Sequence, residues 1–390
     1  MTFKILSLDG GGMRGALSAR ILQAVEIELW EQKKLKLHEY FDAIAGVSTG
    51  SILAAGLAKG KTCQELLELY QQNGDRIFPK SWKENLPDPL KLIAGLVLSP
   101  KYTHQGLEEV LQEQLENTPI KAINKPILHI LAYDTFYRNT TRFTNFHPHL
   151  GDRWYDDTPL WKICVASSSA PTFFPPYELT PENQEKFGDW KFPHIDGGVA
   201  ANNPTLSMIS EALLLSQQEI ISDEVKIERN LKDLTLDNIA VLSIGTGNSA
   251  KPFTYQTVKS WKTMKWASHI GDIFMAAPQE IDSTVCQQLM GGYQSKRYLR
   301  LQFDLNDWYI PKPGETFRDP RNLIPVSETK NRFTGQHVSE IIDDGSPEAI
   351  EKLIATGEQF VEQGKTRYSR VYGEGDFVKV AIANFIKIHN

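Results

Sequence analysis

This sequence of 390 residues is poor in cysteine and carries no excess of basic residues. Its three cysteines, Cys63, Cys164 and Cys286, are an odd number and lie far apart. Neither a disulfide framework nor a zinc site is therefore indicated, and a reducing compartment is expected. Lysine and arginine together number 42 against 48 acidic residues, for a net charge of −6. That balance argues against a general nucleic-acid-binding protein, which needs basic residues to neutralise phosphates.

Long apolar runs are also missing. The longest largely apolar stretch, residues 90–98, is too short to span a bilayer. The N-terminus enters an apolar strand pattern directly, without the charged segment and apolar core of a signal peptide. We therefore expect a cytoplasmic protein without a signal peptide or a transmembrane anchor. The ordinary proportions of apolar and charged residues indicate a folded globular chain.

The stretch around Ser48 carries the clearest signal for chemistry. An apolar run of strand length leads into Gly46-Val47-Ser48-Thr49-Gly50, and small helix-forming residues follow at once. Strand, sharp turn and helix are the context in which G-x-S-x-G forms a nucleophile elbow. Glycines at both ends would let strand and helix approach closely, and the Ser48 hydroxyl would lie at a helix N-terminus that favours negative charge. A turn without a catalytic role is the alternative.

A glycine-rich loop, Asp9 to Gly15, follows the first predicted strand at residues 3–8. Its consecutive glycines could turn bare backbone N–H groups toward one anion. A dinucleotide site would need an acidic residue at the end of the second strand, but the nearby glutamates fall inside a helical pattern. A P-loop would need Gly-Lys-Ser/Thr where the sequence has Gly15-Ala16. We therefore favour an oxyanion hole formed by the N–H groups of Gly11 and Gly12, with a tight turn that binds nothing as the alternative.

An aspartate at a second glycine turn is the candidate partner of the serine. Asp196-Gly197-Gly198 follows a short strand pattern, and its carboxylate could serve as a general base or only stabilise its own turn. His194 is an alternative base, since a triad needs a histidine relay. The serines at 167–169 are rival nucleophiles without a glycine elbow. His147-Pro148-His149 resembles a metal-binding pair but lacks a carboxylate motif, so no metal site is predicted.

The rest of the chain predicts a continuing α/β pattern, without repeats or a clear linker. We expect a buried strand at residues 239–244 and a strand with alternating apolar residues at 298–303. We expect a helix that opens at Cys63 and stops at Asn73-Gly74, and a last helix that opens at Ser346-Pro347. No second independent domain is indicated.

Taken in order, these motifs resemble those of the patatin-like phospholipase family. The similarity runs from residue 3 to at least residue 250, and less specifically to the C-terminus. The matching stretches are SLDGGGMRG (7–15), GVSTG (46–50), ASSSAPTFFP (166–175), DGG (196–198) with ANNP (201–204), and LSIGTG (242–247). The last two of these stretches point to the branch closest to the plant patatins.

The resemblance implies an α/β fold, a patatin-type three-layer α/β/α sandwich with a central, mostly parallel sheet. Residues 1–390 would form a single domain, with a catalytic core at about 3–207 and a C-terminal extension of the same sandwich at about 208–390. It also implies a Ser–Asp dyad instead of a triad, with Ser48 as the nucleophile and Asp196 as the general base. The residues implied in supporting roles are Gly10, Gly11 and Gly12 in the oxyanion hole, Arg14 holding that loop or a phosphate, and Gly46, Gly50, Gly197 and Gly198 at the turns.

The implied activity is that of a lipid acyl hydrolase. It would cleave carboxylic esters of phospholipids, lysophospholipids and galactolipids through an acyl-enzyme, without calcium, another metal or a cofactor. Its substrate would be a membrane lipid or a lipid aggregate, so membrane contact would be peripheral. A storage or binding protein with incidental esterase activity, and an effector phospholipase gated by a cyclic nucleotide, stay open as alternatives.

Two segments have open roles. Residues 77–104 would form either a helix packed on the core or a flap over an acyl pocket. Much of residues 253–290 is helix-like, with Trp261, Met264 and Trp266 interleaved with lysines. That face would either be solvated or contact anionic lipid.

Overall fold

The computed structural model describes residues 2–79, 100–147, 151–311, 323–369 and 373–389, and in these the chain is organised around an eight-stranded sheet. The strands are β1 (Phe3–Leu8), β2 (Ala43–Val47), β3 (Ile127–Asp134), β4 (Asn139–Thr144), β5 (Tyr177–Leu179), β6 (Phe192–Asp196), β7 (Ile239–Ile244), β8 (Tyr298–Leu301), β9 (Asp307–Pro311), β10 (Leu323–Lys330), β11 (Lys365–Ser369) and β12 (Gly373–Phe377). The last four form two separate hairpins, β9 with β10 and β11 with β12.

Helices connect most of these strands. They are α1 (Gly15–Lys33), α2 (Leu37–Tyr40), α3 (Thr49–Ala58), α4 (Cys63–Ile77), α5 (Gln105–Leu115), α6 (Leu160–Ser167), α7 (Gln184–Phe187), α8 (Gly198–Ala201), α9 (Thr205–Gln217), α10 (Asp223–Glu228), α11 (Tyr255–Lys259), α12 (Thr263–Leu289), α13 (Pro347–Gln363) and α14 (Val378–Ile388). Short 3₁₀ turns lie at Gly12–Arg14, Ile120–Ala122 and Leu236–Asn238.

The centre of the sheet is parallel. β1 pairs with β2 on one side and β7 on the other, β3 follows β2, and β8 follows β7, all in the same direction. β4 and β6 pair with β3 antiparallel, and β5 pairs with β6 antiparallel. The carboxyl ends of the five central parallel strands therefore lie at one edge of the sheet, which is where open α/β sheets bind ligands.

Helices cover both faces of the sheet and bury two apolar cores. Successive side chains of β1 point to opposite faces. Leu6 and Leu8 join the larger core together with α1, α3 and α4, whereas Phe3 and Ile5 join a second core with α9 and the end of α12. The predicted α/β class, with a mostly parallel sheet between two helical layers, is confirmed.

Two helix predictions are wrong in their bounds. α4 continues through Gly74 to Ile77, because this glycine allows close packing and does not end the helix. A Cβ at Gly74 would lie 2.4 Å from the backbone oxygen of Gly345. The helix that opens at Ser346 is not the last, since α14 follows it. The strand at 239–244 is confirmed, whereas the one predicted at 298–303 ends at Leu301.

Most of the 77–104 segment, residues 80–99, lies outside the described residues. Phe78 and Tyr102 flank that gap, and their ring centroids are 5.1 Å apart. Both rings pack on Phe174, at 5.6 and 5.8 Å. The two ends of the segment therefore meet on the same aromatic residue.

Candidate active site

Ser48 occupies the sharp turn between β2 and α3, as the motif predicts. Its backbone has φ 53° and ψ −128°, a conformation that is strained for any residue other than glycine. The surrounding structure holds it there: the Ser48 N–H donates to the Ser167 hydroxyl at 2.9 Å, and the Ser48 carbonyl accepts from the Ser51 N–H at 2.8 Å. The exposed fraction of Ser48 is 6%, so its hydroxyl lies in a nearly dry environment.

The two glycines of the motif are required sterically. A Cβ at Gly46 would lie 2.2 Å from the backbone oxygen of Gly50, and a Cβ at Gly50 would lie 2.1 Å from that of Leu8. No rotamer change relieves a clash with backbone. The turn therefore needs glycine at both positions to bring α3 against β1 and β2.

Asp196 meets Ser48 because β2 and β6 end head to head beside β3. Val47, the last residue of β2, pairs with Leu131, and Asp196, the last residue of β6, pairs with Ala132. β4 occupies the other edge of β3, so the two strand ends share one edge. Both side chains line the same cleft, and the Ser48 hydroxyl is one of the groups that lower the pKa of the Asp196 carboxyl group.

The Asp196 carboxyl group is buried, with 1% of the residue exposed. Burial raises its pKa to about 6, although hydrogen bonds from the Ser48 hydroxyl and the Gly198 N–H lower it. The Gly198 N–H donates to Oδ1 at 2.7 Å. Gly197 allows this turn to press on β3, because a Cβ there would lie 2.3 Å from the Leu131 oxygen. A carboxylate with this pKa is ionised at neutral pH and can accept a proton from the hydroxyl it faces.

The Gly10–Gly12 loop follows β1 directly and lies against Ser48. A Cβ at Gly10 would lie 3.1 Å from the Ser48 Cβ and 2.2 Å from Asn202 Oδ1. The Gly10 N–H already donates to the Asn202 carbonyl at 3.2 Å. Among the described residues, the N–H groups of Gly11 and Gly12 have no acceptor. The loop thus has two N–H groups without a protein acceptor in the part of the chain that the structure describes, those of Gly11 and Gly12, while the Gly10 N–H is already bonded.

Arg14 supports this loop from its far end. Its Nε donates to the Gly11 carbonyl at 3.4 Å. The Met13 N–H donates to the Ile342 carbonyl at 2.7 Å. A Cβ at Gly12, whose φ is +58°, would lie 2.2 Å from that carbonyl oxygen. The loop is therefore shaped partly by residues near the C-terminal end of the chain.

A buried ion pair that the sequence analysis missed anchors the start of the loop. Arg300 on β8 donates through Nη1 to Asp9 Oδ1 at 2.9 Å and through Nη2 to Asp9 Oδ2. Gln279 on α12 donates to the same Oδ2 at 2.5 Å. Ser7, Ser243 and Arg300 lie side by side in register, and the two small serines leave room for the long side chain to reach Asp9. The sequence does contain an indication of this pair, because an arginine inside a buried strand pattern needs an acidic partner.

His194, the alternative base, is occupied elsewhere. Its Nδ1 lies 2.8 Å from the Phe192 carbonyl and its Nε2 lies 2.9 Å from the Thr141 hydroxyl. Burial lowers its pKa, so the ring is neutral, donating through Nδ1 and accepting through Nε2. Its ring packs against Phe143, at 5.4 Å between centroids. These contacts describe a histidine that supports β6 and not one that relays the Ser48 proton.

The rival serines lie next to the site but are built differently. Ser167 donates to the Leu131 carbonyl at 2.6 Å while accepting from the Ser48 N–H, so it braces the elbow. Ser169 donates to the Val165 carbonyl at 2.7 Å. The Ser168 hydroxyl is buried without a hydrogen-bond partner in the described part of the chain.

An apolar cleft opens beside Ser48 and Asp196. Its walls come from α3, α4, α5 and the loop after α6, and they carry aliphatic and aromatic side chains with few polar groups. These apolar lining residues are Met13, Ile52, Ile77, Phe78, Leu107, Ala170, Phe173, Phe174 and Ile342. Such a lining suits a hydrocarbon chain and excludes water from the serine.

Within the described residues, no group of three or more histidine, cysteine, aspartate and glutamate side chains is arranged to hold a metal ion. His147 is described, whereas His149 lies outside the described residues. None of the described helices combines the length and the apolar character needed to cross a membrane.

Comparison with known proteins identifies the family. Residues 6–209 match the family model for "Patatin-like phospholipase", which is more than half of the chain. The chain belongs to this family. Membership supports a lipid acyl hydrolase with a lipid substrate, and the resemblance inferred from the motifs is confirmed.

Plant members of the family align with nearly the whole chain. The chain is 29% identical to Patatin-like protein 2 of Oryza sativa subsp. indica, over 95% of its own length and 88% of the relative's. Patatin-like protein 1 of Arabidopsis thaliana is also 29% identical, over 93% and 88%. Among solved structures, human GIVD cytosolic phospholipase A2 aligns with 100% of this chain and 61% of its own, at 11% identity and a TM-score of 0.43, a likeness too distant to interpret residue by residue.

Proposed function

We propose that this protein is a calcium-independent serine hydrolase that cleaves carboxylic esters of membrane lipids through a Ser48–Asp196 dyad. The observation that carries the proposal is that Ser48, on its strained turn, lines the same apolar cleft as the buried Asp196 carboxylate, whose pKa burial raises to about 6. Phospholipids, lysophospholipids and galactolipids are the proposed substrates. We further propose that residues 1–390 act as one domain, because Arg300 and Ile342 contact the catalytic loop.

The first chemical step is acylation. Ser48 Oγ attacks the ester carbonyl carbon while its proton passes to Asp196, and the carbonyl π electrons move onto the oxygen. The N–H groups of Gly11 and Gly12 face that oxyanion, and a well-placed donor of this kind lowers the barrier by on the order of 3 kcal/mol. The tetrahedral intermediate collapses by expelling the alcohol part of the lipid, which takes the proton from Asp196. An acyl-serine remains.

Deacylation repeats the sequence with water. Asp196 accepts a proton from water, whose oxygen attacks the acyl carbon, and the same two N–H groups stabilise the second oxyanion. Collapse returns the proton to Ser48 Oγ and releases a fatty acid. The apolar cleft would hold the acyl chain throughout.

Fatty-acid release tests this function. Mixed phospholipid and galactolipid vesicles are incubated with the wild-type protein, Ser48→Ala and Ser168→Ala in the presence of a calcium chelator. We expect release by the wild type and by Ser168→Ala, and none by Ser48→Ala, because Ser48 is the serine that acts on the Asp196 carboxyl group, whereas the Ser168 hydroxyl has no hydrogen-bond partner among the described residues. Release by Ser48→Ala would contradict the mechanism, and a silent wild type would favour a binding role or a missing activator.

A further inference from the structure

The segment between β7 and β8, residues 245–297, contacts the catalytic loop at two places. At its start, the Thr246 hydroxyl donates to the Gly10 carbonyl at 3.0 Å. Near its end, Gln279 on α12 donates to Asp9. Both contacts fall on the Asp9–Gly10 corner. Residues 247–278 therefore begin and end beside the active site.

The direction of α12 sets where the middle of this segment lies. β7 and β8 are parallel, so the connection must run back from the carboxyl edge of the sheet, and α12 is antiparallel to the strands. Gln279 is level with Asp9, at the carboxyl edge. The sixteen residues of α12 before Gln279, residues 263–278, correspond to roughly 24 Å at about 1.5 Å per residue. Pro278 removes a backbone hydrogen bond of the helix just before Gln279, and this half of α12 extends from the Asp9 corner at the active-site edge of the sheet.

Aromatic side chains gather at the N-terminal end of α12. Trp261 is buried among them, with ring centroids 5.0 Å from Phe253, 5.0 Å from Trp266 and 4.7 Å from His269. The outer rings stay in solvent: Trp266 is 40% exposed, Phe253 38%, and nearby Tyr255 73%. Indole and phenol rings with an apolar body and a polar tip are the side chains that favour a membrane–water interface.

The same end is basic in an acidic protein. Residues 238–271 contain four lysines and neither aspartate nor glutamate, whereas the whole chain has a net charge of −6. Lys251, Lys259 and Lys262 are exposed, and none of the three forms an ion pair with another described residue. Lys259 lies over the Tyr255 ring at 5.7 Å. The positive charge is therefore concentrated where the aromatic rings are exposed.

We propose that this surface, the 251–266 face (Lys251, Phe253, Tyr255, Lys259, Lys262 and Trp266), binds a bilayer that carries anionic headgroups. The rings enter the interface while the lysines contact the headgroups. This proposal rests on the proposed function and adds to it the surface that binds the bilayer and so brings the cleft close to its lipid substrate. The lysines complement the negative charge of either an anionic bilayer or an acidic protein. The exposed aromatic rings favour the bilayer, because they need an apolar layer to enter.

Binding is measured without turnover, on the Ser48→Ala protein. Cosedimentation with vesicles of phosphatidylcholine alone is compared with vesicles of equal parts phosphatidylcholine and phosphatidylglycerol, at low and high salt. We expect binding to the anionic vesicles, weakened by salt. Neutralisation of Lys259 and Lys262 should weaken it at least about tenfold, since each lysine near such a surface contributes about fivefold. Tyr255→Ala with Trp266→Ala should weaken binding to both vesicle types.

The matched control lies at the opposite edge of the sheet. Trp30, at the end of α1, is 53% exposed, and Lys34 lies over its ring at 5.5 Å. Trp30→Ala with Lys34→Ala removes the same chemistry and should leave vesicle binding as it was. Three results would each overturn the proposal. They are a loss of vesicle binding in the control equal to that in the 251–266 variants, equal binding to both vesicle types, and unchanged binding by the lysine variants.

A dispersed short-chain ester separates this proposal from the proposed function. Substitutions in the 251–266 face should lower hydrolysis of anionic vesicles relative to hydrolysis of the dispersed ester. Failure of the wild type on the dispersed ester would count against the dyad, whatever the vesicle binding. Normal turnover of the ester without any vesicle binding would overturn the surface and leave the dyad in place.

Discussion

Arg300 on β8 and Asp9 at the end of β1 form a two-pronged ion pair across β7, with both side chains almost fully buried. Asp9 immediately precedes the loop that offers two N–H groups beside Ser48. The pair therefore ties a strand outside the stretch that matches the family model, residues 6–209, to the catalytic loop. Arg300 is in this sense a positioning residue.

Arg300→Gln should be costly, because it leaves the Asp9 carboxylate buried without its counter-charge. Loss of one partner of a buried pair costs about 3–5 kcal/mol, measured as the free energy of unfolding in denaturant. Arg300→Lys keeps the charge but loses the two-pronged geometry, so it should restore stability only in part. In both variants kcat should fall while KM changes little.

A surface ion pair provides the control for Arg300. Arg20 pairs with the half-exposed Glu358 at 3.1 Å, and such pairs contribute about 0–1 kcal/mol. Arg20→Gln should leave kcat and stability close to the wild type. If Arg300→Gln behaved like Arg20→Gln, the anchoring role would be wrong.

The raised pKa of Asp196 predicts an acid limit on activity. The carboxylate must be ionised to accept the Ser48 proton, so kcat/KM should fall about tenfold per pH unit below a pKa of about 6. The measurement is the pH profile of hydrolysis of a dispersed ester. A profile that stays flat down to pH 4 would exclude Asp196 as the base.

The same shift predicts that Asp196 destabilises the fold at neutral pH. Its pKa rises from 3.8 in the unfolded chain to about 6 when folded, so the folded state binds the proton more tightly. Stability should therefore increase as pH falls from about 6 to about 4. At about 1.36 kcal/mol per unit the cost above pH 6 is about 3 kcal/mol. Asp196→Asn should be inactive yet more stable at pH 8, and the difference should vanish near pH 4.

Two glycines of α3 should differ in how much stability they lose when replaced by alanine. Gly50→Ala places a Cβ 2.1 Å from a backbone oxygen, whereas Gly56→Ala meets only the end of the Leu66 side chain, at 2.6 Å. Overpacking against backbone, which has no rotamer to change, should cost about 1–3 kcal/mol or more. Gly56→Ala should change the unfolding free energy by less than about 1 kcal/mol, because higher helix propensity offsets the displaced leucine. Comparable losses from both substitutions would mean that the elbow tolerates a wider turn.

His194 should prove structural. His194→Gln removes hydrogen bonds with Phe192 and Thr141 and should lower stability by about 1–3 kcal/mol. Hydrolysis should persist in the folded variant, because neither ring nitrogen is available to Ser48. A folded His194→Gln protein without activity would instead indicate a histidine relay.

The parts of this site that local motifs define could be predicted from the sequence. The parts that depend on contacts between distant residues could not. The elbow at Ser48 and the turn at Asp196 are each defined by glycines within two residues, because backbone sterics act locally. The order of the parallel strands follows from alternating apolar strands and helices. The Arg300–Asp9 contact joins residues 291 positions apart, and no local pattern encodes it. The helix stop predicted at Gly74 is wrong for the same reason, since the packing partner of this glycine, Gly345, is distant in sequence.

The most direct test of the central claim is covalent labelling by an alkyl fluorophosphonate, followed by mapping of the modified residue by mass spectrometry. The reagent reacts with a serine whose proton is accepted by a neighbouring base. We predict one adduct, on Ser48, formed more slowly below pH 6 and at least about a hundredfold more slowly in Asp196→Asn. The dyad would be contradicted by an adduct on Ser167, Ser168 or Ser169. It would also be contradicted if the Asp196→Asn variant were labelled at the wild-type rate.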